Sequence, residues 1–128
     1  MVPEFSPLLL LGVSLVGGLG AACRYLTDTL LRERSGWSAP GATFFVNALG
    51  SLLLGLFTGL IADGTWHALL AAGFCGGFTT FSTAMLDVVR LWRAGERGRA
   101  VWFSVGQFIV CAVFALAGAL LFATPPSS

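Results

Sequence analysis

Four long apolar stretches dominate this sequence of 128 residues. A helix that crosses a lipid bilayer needs about 20 mainly apolar residues, so each stretch is long enough to cross once. The predicted spans cover residues 7–31, 41–62, 65–91 and 100–123, and only short segments connect them. We therefore predict an all-α integral membrane protein, in which residues 1–128 form a single domain of four transmembrane helices.

The composition agrees with lipid as the surrounding solvent. Hydrophobic residues make up 56% of the chain and charged residues only 10%, whereas soluble domains carry about 25% charged residues. A cleaved signal peptide is the alternative interpretation of the first stretch, but residues 1–4 lack the positive charge that such peptides carry. The net charge of +1 argues against a nucleic acid partner.

The basic residues are distributed asymmetrically along the chain. All seven are arginines. Six lie in or beside the first and third connections, and the seventh, Arg24, lies within the first span towards the same end: Arg24, Arg32, Arg34, Arg90, Arg93, Arg97 and Arg99. The N-terminal segment and the second connection carry Glu4, Asp63 and His67 but no Lys or Arg. Because cytoplasmic connections attract Lys and Arg, we predict that the first and third connections are cytoplasmic. Both termini are then expected on the outer side of the plasma membrane.

Polar side chains within the spans are candidates for function, because an unpaired polar group in lipid costs several kcal/mol. Thr43 and Asn47 lie one helical turn apart and share a face of the second span. Asn47 can hydrogen-bond a neighbouring helix as a packing contact, or it can line a site. Arg24 lies deep in the first span, which makes it a functional candidate, although its long side chain can also extend to the interface.

The third span contains the most unusual segment. Gly76 and Gly77 are poor helix formers, and four hydroxyl residues follow them, namely Thr79, Thr80, Ser82 and Thr83. Hydroxyl side chains offer the backbone alternatives to helical hydrogen bonds. A helix broken here would free carbonyl oxygens, which broken membrane helices use to hold cations such as Na⁺. An unbroken helix with a small-residue packing face is the alternative.

Several functional classes are disfavoured by what the spans lack. Proton-coupled transporters rely on Asp, Glu or His side chains in the middle of a span. Here Asp28 and Asp87 lie near span ends, and no carboxylate occupies the middle of a predicted span. The sequence has no Ser/His/Asp set and no phosphate-binding glycine loop, so an enzyme is not expected. Cys23, Cys75 and Cys111 lie in apolar runs without metal-ligand spacing, and we expect them to behave as small apolar side chains.

Three segments together resemble the Fluc (CrcB) family of fluoride channels: Gly17–Tyr25, Asn47–Ser51 and Gly73–Thr83. The resemblance extends over nearly the whole chain, and the third segment is its most specific part. It implies an antiparallel dimer of four-helix subunits with a broken third helix and two separate fluoride pores. It also implies a structural Na⁺ at the dimer interface, held by the main-chain carbonyls that match Gly76 and Thr79.

The resemblance also implies pore residues. A pore-facing Asn matches Asn47, an aromatic residue matches Phe81, and the hydroxyls that follow match Ser82 and Thr83. Fluoride is small and tightly hydrated, so hydrogen-bond donors must replace its water. The Asn47 amide and the Thr43 hydroxyl can donate, and the positive edge of the Phe81 ring can meet an anion.

Two features depart from the family pattern. A second pore Phe is typical three residues after the first, and this chain has Ala84 there. The polar track on the fourth helix, commonly hydroxyls, here reads Phe103, Gln107 and Cys111, which makes Gln107 a candidate pore residue.

The predicted function is passive, fluoride-selective export from the cytoplasm, which confers fluoride resistance. One alternative is a small multidrug-type exporter, which would carry a Glu in its first span, where this chain has none. Another is a non-transporting assembly subunit. The arginine asymmetry predicts insertion in one orientation. Ala84, in place of the second pore Phe, predicts that a partner subunit supplies the missing aromatic ring. A heterodimer with a related, oppositely inserted subunit is therefore favoured over a homodimer.

Overall fold

The computed structural model of the chain describes residues 6–61 and 64–122. We label its helices α1 (Pro7–Arg34), α2 (Ala39–Leu60), α3 (residues 65–78), α4 (Ser82–Arg93) and α5 (Arg97–Leu121). Together α3 and α4 form the third crossing, Thr65–Arg93, so the described residues form four helical segments that are long and apolar enough to span a membrane. The predicted ends of the second and fourth spans, Ala62 and Ala123, lie outside the described residues.

The first two helices begin at serine caps. The Ser6 hydroxyl accepts a hydrogen bond from the Leu9 amide at 3.1 Å, and the Ser38 hydroxyl accepts one from the Gly41 amide at 3.2 Å. Each cap is followed by a proline in the first turn of the helix, where a missing amide hydrogen has no cost. Gly36, after α1, adopts a positive φ of 72° that suits glycine and lets the chain turn towards α2.

Glycines bring α1 and α3 into backbone contact. A Cβ atom on Gly20 would overlap the carbonyl oxygen of Phe74, and a Cβ atom on Gly77 would overlap that of Gly17. The glycine-rich segment of α1 and the double glycine of α3 therefore face each other. Small residues at membrane helix interfaces allow this close approach and the dispersion contacts that follow from it.

A second glycine contact joins α2 to α5. A Cβ atom on Gly55 would overlap the carbonyl oxygen of Ala115, and one on Gly118 would lie 2.8 Å from the carbonyl oxygen of Leu52. Two helix pairs, α1 with α3 and α2 with α5, therefore pack with their backbones in contact. The third crossing also packs against α2 through Gly50, where a Cβ atom would overlap the Thr79 methyl group.

The third crossing changes its helical geometry near mid-length. Residues Ala68–Cys75 form a π-helix, and Gly76–Phe78 form one α-helical turn. Thr79 is extended, with φ −82° and ψ 159°, and helical structure resumes at Ser82. Gly76 and Gly77 themselves stay helical, so the chain leaves the helix three residues beyond the start of the glycine pair.

Candidate functional site

The interruption is joined to α2 and α5 through the side chain of Asn47. The Asn47 Nδ2 group donates to the Thr80 carbonyl at 2.8 Å, and the Thr80 amide donates to Asn47 Oδ1 at 2.7 Å. Nδ2 also donates to Gln107 Oε1 at 2.5 Å. In a continuous helix the Thr80 amide would donate to the Gly76 carbonyl instead. Asn47, only 8% exposed, therefore replaces a helical backbone bond and commits both of its donors within the chain.

A second buried polar pair lies one turn away on α2. The Thr43 hydroxyl donates to Asp87 Oδ2 at 2.9 Å, and both residues are buried, with Asp87 2% exposed. Arg90 Nη1 lies 3.9 Å from the other carboxylate oxygen. A buried carboxylate requires such partners because burial of an unpaired charge costs several kcal/mol. The Thr43 donor is therefore also committed within the chain.

The interruption opens into a cavity of about 640 Å³, here called the main cavity. It brings together most of the predicted site residues, and its wall includes Asn47, Gly76, Thr79, Thr80, Phe81 and Gln107. Within the part of the chain that the structure describes, no Lys, Arg, Asp or Glu side chain lines it. The described wall of the main cavity is thus uncharged and includes several residues with polar side chains.

A smaller cavity of about 180 Å³, here called the polar cavity, lies beside the same interruption. Its wall includes Arg24, Asp28, Thr43, Thr80 and Thr83. Thr80 lines both cavities, and its backbone is the partner of Asn47. The predicted residues Arg24, Thr43 and Thr83 therefore line the polar cavity, whereas Gln107 lines the main cavity.

Three predicted pore residues are exposed on the single chain. Phe81 has 78% of its surface exposed, and Ser82 and Thr83 are also exposed. Phe81 lines the main cavity and Thr83 the polar cavity, whereas Ser82 lines neither. Ala84, at the position of the second aromatic residue, is buried and lines the main cavity.

Sequence reasoning missed three polar residues of this region. Asp87 was excluded from the site because it lies near a span end, and its partner Thr43 is 44 residues away. Ser51 and Ser104 line the main cavity. The signal that could have found them is spacing, because Ser51 follows Asn47 by one helical turn and Ser104 precedes Gln107 by one turn.

Comparison with known proteins assigns the family. The family model described as "CrcB-like protein, Camphor Resistance (CrcB)" matches residues 11–119. The chain belongs to the CrcB-like family. With four helices long and apolar enough to span a membrane, this CrcB-like chain is a multi-pass membrane protein.

Curated relatives of this CrcB-like chain are named as fluoride-specific ion channels. FluC 1 of Leifsonia xyli subsp. xyli is 39% identical over 131 residues, covering 95% of this chain and 96% of the relative. FluC 3 of Bifidobacterium longum is 39% identical over 121 residues, covering 91% and 98%. FluC of Thermus thermophilus is 37% identical over 118 residues, covering 85% and 94%. The similarity extends over most of each protein.

Proposed function

We propose that this chain is a subunit of a fluoride-selective channel that passes fluoride passively out of the cytoplasm and so confers fluoride resistance. The observation that carries the proposal is the main cavity, where an interrupted membrane helix, the Asn47–Thr80–Gln107 cluster and Phe81 meet. Relatives that share most of the chain are named fluoride-specific ion channels.

The lining of the two cavities suits a small, strongly hydrated anion. Fluoride must exchange its water for hydrogen-bond donors, and residues with hydroxyl or amide side chains line both cavities. Phe81 presents a ring whose edge carries partial positive charge. Conduction also requires binding weak enough for exit. A main cavity whose described wall has no Lys or Arg meets that requirement. The polar cavity carries the positive charge of Arg24 and the negative charge of Asp28.

The exposed interruption supports a dimer. Phe81 in the interruption is exposed on the single chain, and so are Gly76, Ser82 and Thr83 at the helix ends beside it, although all four belong to a membrane-spanning segment. Lipid-exposed irregular backbone does not occur within the hydrocarbon region, because its polar groups would be unpaired. A second subunit that covers this surface removes the cost, and the antiparallel dimer implied by the resemblance would provide it, with two pores.

The carbonyl groups at the interruption fit a structural Na⁺ ion. The Gly76 carbonyl loses the Thr80 amide, which bonds to Asn47 instead, and Gly76 and Thr79 both line the main cavity. Unwound backbone carbonyls are the ligands that membrane proteins use for Na⁺. We assign Gly76 and Thr79 as the residues that would hold the ion at the dimer interface, where it would neutralise carbonyl dipoles that face each other.

The partner subunit and the orientation in the membrane follow from charge. Six of the seven arginines lie in or beside the first and third connections, which favours insertion into the plasma membrane with both termini outside. Strong one-way insertion favours a heterodimer with a related, oppositely inserted subunit over a homodimer. Ala84 lines the main cavity without an aromatic ring, so a partner could supply the missing ring.

Ion flux from liposomes tests the proposed function. Purified protein is reconstituted into vesicles loaded with potassium fluoride, and efflux is followed with a fluoride electrode after valinomycin is added. We expect rapid fluoride efflux and no comparable chloride efflux from matched vesicles. A multidrug-type exporter would need an ion gradient and an organic substrate, and an assembly subunit would release neither anion. Absence of fluoride efflux from folded, reconstituted dimers, whether formed by this chain alone or with its related subunit, would contradict the proposal.

A further inference from the structure

We infer that the side-chain amide of Gln107 is the donor that contacts the anion in the main cavity, and that Asn47 is a positioning residue which sets its direction. The inference rests on the proposed function and deepens it. The family resemblance singles out Asn47 as the pore amide, whereas the hydrogen bonds of this chain distribute the two roles differently.

The orientation of the Asn47 amide is determined by the backbone of Thr80. The Thr80 amide can only donate, so its partner at 2.7 Å is Asn47 Oδ1. The Thr80 carbonyl can only accept, so its partner at 2.8 Å is Asn47 Nδ2. Oxygen and nitrogen of a side-chain amide are ordinarily assigned from their partners, and here two backbone groups select the same assignment.

The orientation of Gln107 follows from that of Asn47. The remaining hydrogen of Asn47 Nδ2 donates to Gln107, so the accepting atom is Oε1. The Nε2 group of Gln107, with two donors, then points away from Asn47. The Thr80 backbone therefore fixes the donor and acceptor ends of the Asn47 amide, and Asn47 in turn fixes those of the Gln107 amide.

The Nε2 group of Gln107 is left available in the main cavity. Within the described part of the chain it makes no hydrogen bond, whereas both donors of Asn47 are taken. No fully buried side-chain nitrogen or oxygen among the described residues lacks a partner. Gln107 is only 5% exposed and lines the main cavity, so the accessible part of this amide opens into that cavity.

The surroundings of Gln107 suit an anion. Ser104 lies one turn before it on α5 and lines the same cavity, which places a hydroxyl and an amide on one helix face. Phe81 lines the cavity from the third crossing. Because the cavity wall of the described chain is uncharged, the anion interacts there with neutral donors and can leave again.

Amide resonances of the two side chains test the inference directly. Asn47 and Gln107 are the only Asn and the only Gln in the sequence, so a ¹⁵N-labelled sample has one NH₂ pair of each kind. The reconstituted protein is titrated with sodium fluoride at constant Na⁺, with chloride as the balancing anion. We expect a saturable fluoride-dependent shift of the Gln107 Nε2 protons and little change at Asn47 Nδ2.

The same preparation distinguishes the proposed channel function from the proposed donor role of Gln107. Fluoride efflux together with a shift at Gln107 alone supports the inference. Efflux with an equal or larger shift at Asn47, or with no shift at either amide, overturns it and leaves the channel function standing. No efflux overturns the channel function and this inference together.

A matched pair of substitutions on α5 provides a second measurement. Gln107→Met keeps the length of the side chain but removes both donors, and we expect fluoride efflux to fall by about tenfold or more, the loss for a barrier raised by about 1.4 kcal/mol. Ile109→Met, at a position that is 54% exposed and lines neither cavity, is the control. Undiminished efflux from Gln107→Met would overturn the donor role. If that variant misfolds, the titration of the unsubstituted chain still decides.

The positioning role of Asn47 has a separate readout. Asn47→Asp keeps an acceptor for the Thr80 amide but removes both donors, including the bond to Gln107 Oε1. Measured without fluoride, the order parameter of the Gln107 Nε2 group is expected to fall because its amide is no longer held. An unchanged order parameter would overturn the positioning role.

Discussion

The side chain of Asn47 and the backbone of Thr80 pair through two hydrogen bonds, of 2.8 and 2.7 Å, in the middle of the membrane-spanning region. The pairing supplies partners for backbone groups that an interrupted helix would otherwise leave unpaired in lipid. The same side chain therefore stabilises the helix interruption and forms part of the candidate site, so substitutions at Asn47 test both.

Asn47→Leu is expected to stop fluoride flux and to weaken the interruption. Leucine removes the bonds to Thr80 and Gln107, and a buried polar group left unpaired costs about 1–3 kcal/mol. We therefore expect a lower unfolding temperature in detergent together with the loss of efflux. Leu60→Ala, an apolar change at an exposed position of α2, is the control. Normal efflux from folded Asn47→Leu would leave Asn47 as a packing contact only.

Phe81→Ala is expected to abolish or sharply lower selective fluoride flux with little effect on the packing within the subunit. Phe81 is 78% exposed on the single chain, so few intrasubunit contacts are lost with its ring. Fluoride and chloride efflux are measured side by side, with Phe114→Ala on α5, 39% exposed, as an aromatic control outside both cavities. Unchanged selectivity in Phe81→Ala would remove the ring from the anion path.

Two glycines in one segment of α1 are expected to respond oppositely to alanine. A Cβ atom on Gly20 would overlap the Phe74 backbone, so Gly20→Ala must separate α1 from α3 and lower the unfolding temperature. A Cβ atom on Gly18 meets nothing within 4 Å. Gly18→Ala is therefore expected to be neutral or to stabilise by up to about 1 kcal/mol, since alanine favours helix. Equal destabilisation of both variants would contradict the close contact between the two helices.

Sodium is expected to stabilise the dimer specifically. An ion that binds only the assembled protein raises its stability by mass action, and the carbonyls of Gly76 and Thr79 are the proposed ligands. Unfolding temperatures are compared in sodium, potassium and N-methylglucamine salts at equal ionic strength. We expect the highest value in sodium. Identical values in the three salts would argue against the sodium site.

Accessibility of single cysteines tests the orientation of the chain and the heterodimer. Thr65→Cys and Gly98→Cys place exposed thiols at the second and third connections, in a background without Cys23, Cys75 and Cys111. Intact cells are treated with a membrane-impermeant thiol reagent. We expect labelling at position 65 and protection at position 98, because arginine-rich connections stay in the cytoplasm. Comparable labelling at both positions would indicate insertion both ways and restore the homodimer.

Much of the fold could be predicted from local properties of the sequence. Hydropathy alone identifies four crossings, because in lipid a span must satisfy its own backbone and so becomes a helix. The serine caps at Ser6 and Ser38, each followed by proline, begin helices through neighbouring residues only. The double glycine and the hydroxyl run located the unusual part of the third crossing to within a few residues.

The partners of the polar side chains were decided by tertiary structure. Asn47 bonds to Thr80 over 33 residues and to Gln107 over 60, and no local pattern encodes such distances. The interruption falls at Thr79 rather than at the glycine pair because Gly77 packs on the α1 backbone and stays helical, while Asn47 captures the Thr80 amide. The sequence by itself thus determined how many helices cross the membrane and which side chains are polar. Only the packing of those helices decided which donors are consumed within the chain and which remain open to the main cavity, because a hydrogen bond depends on distances between groups that the fold alone brings together.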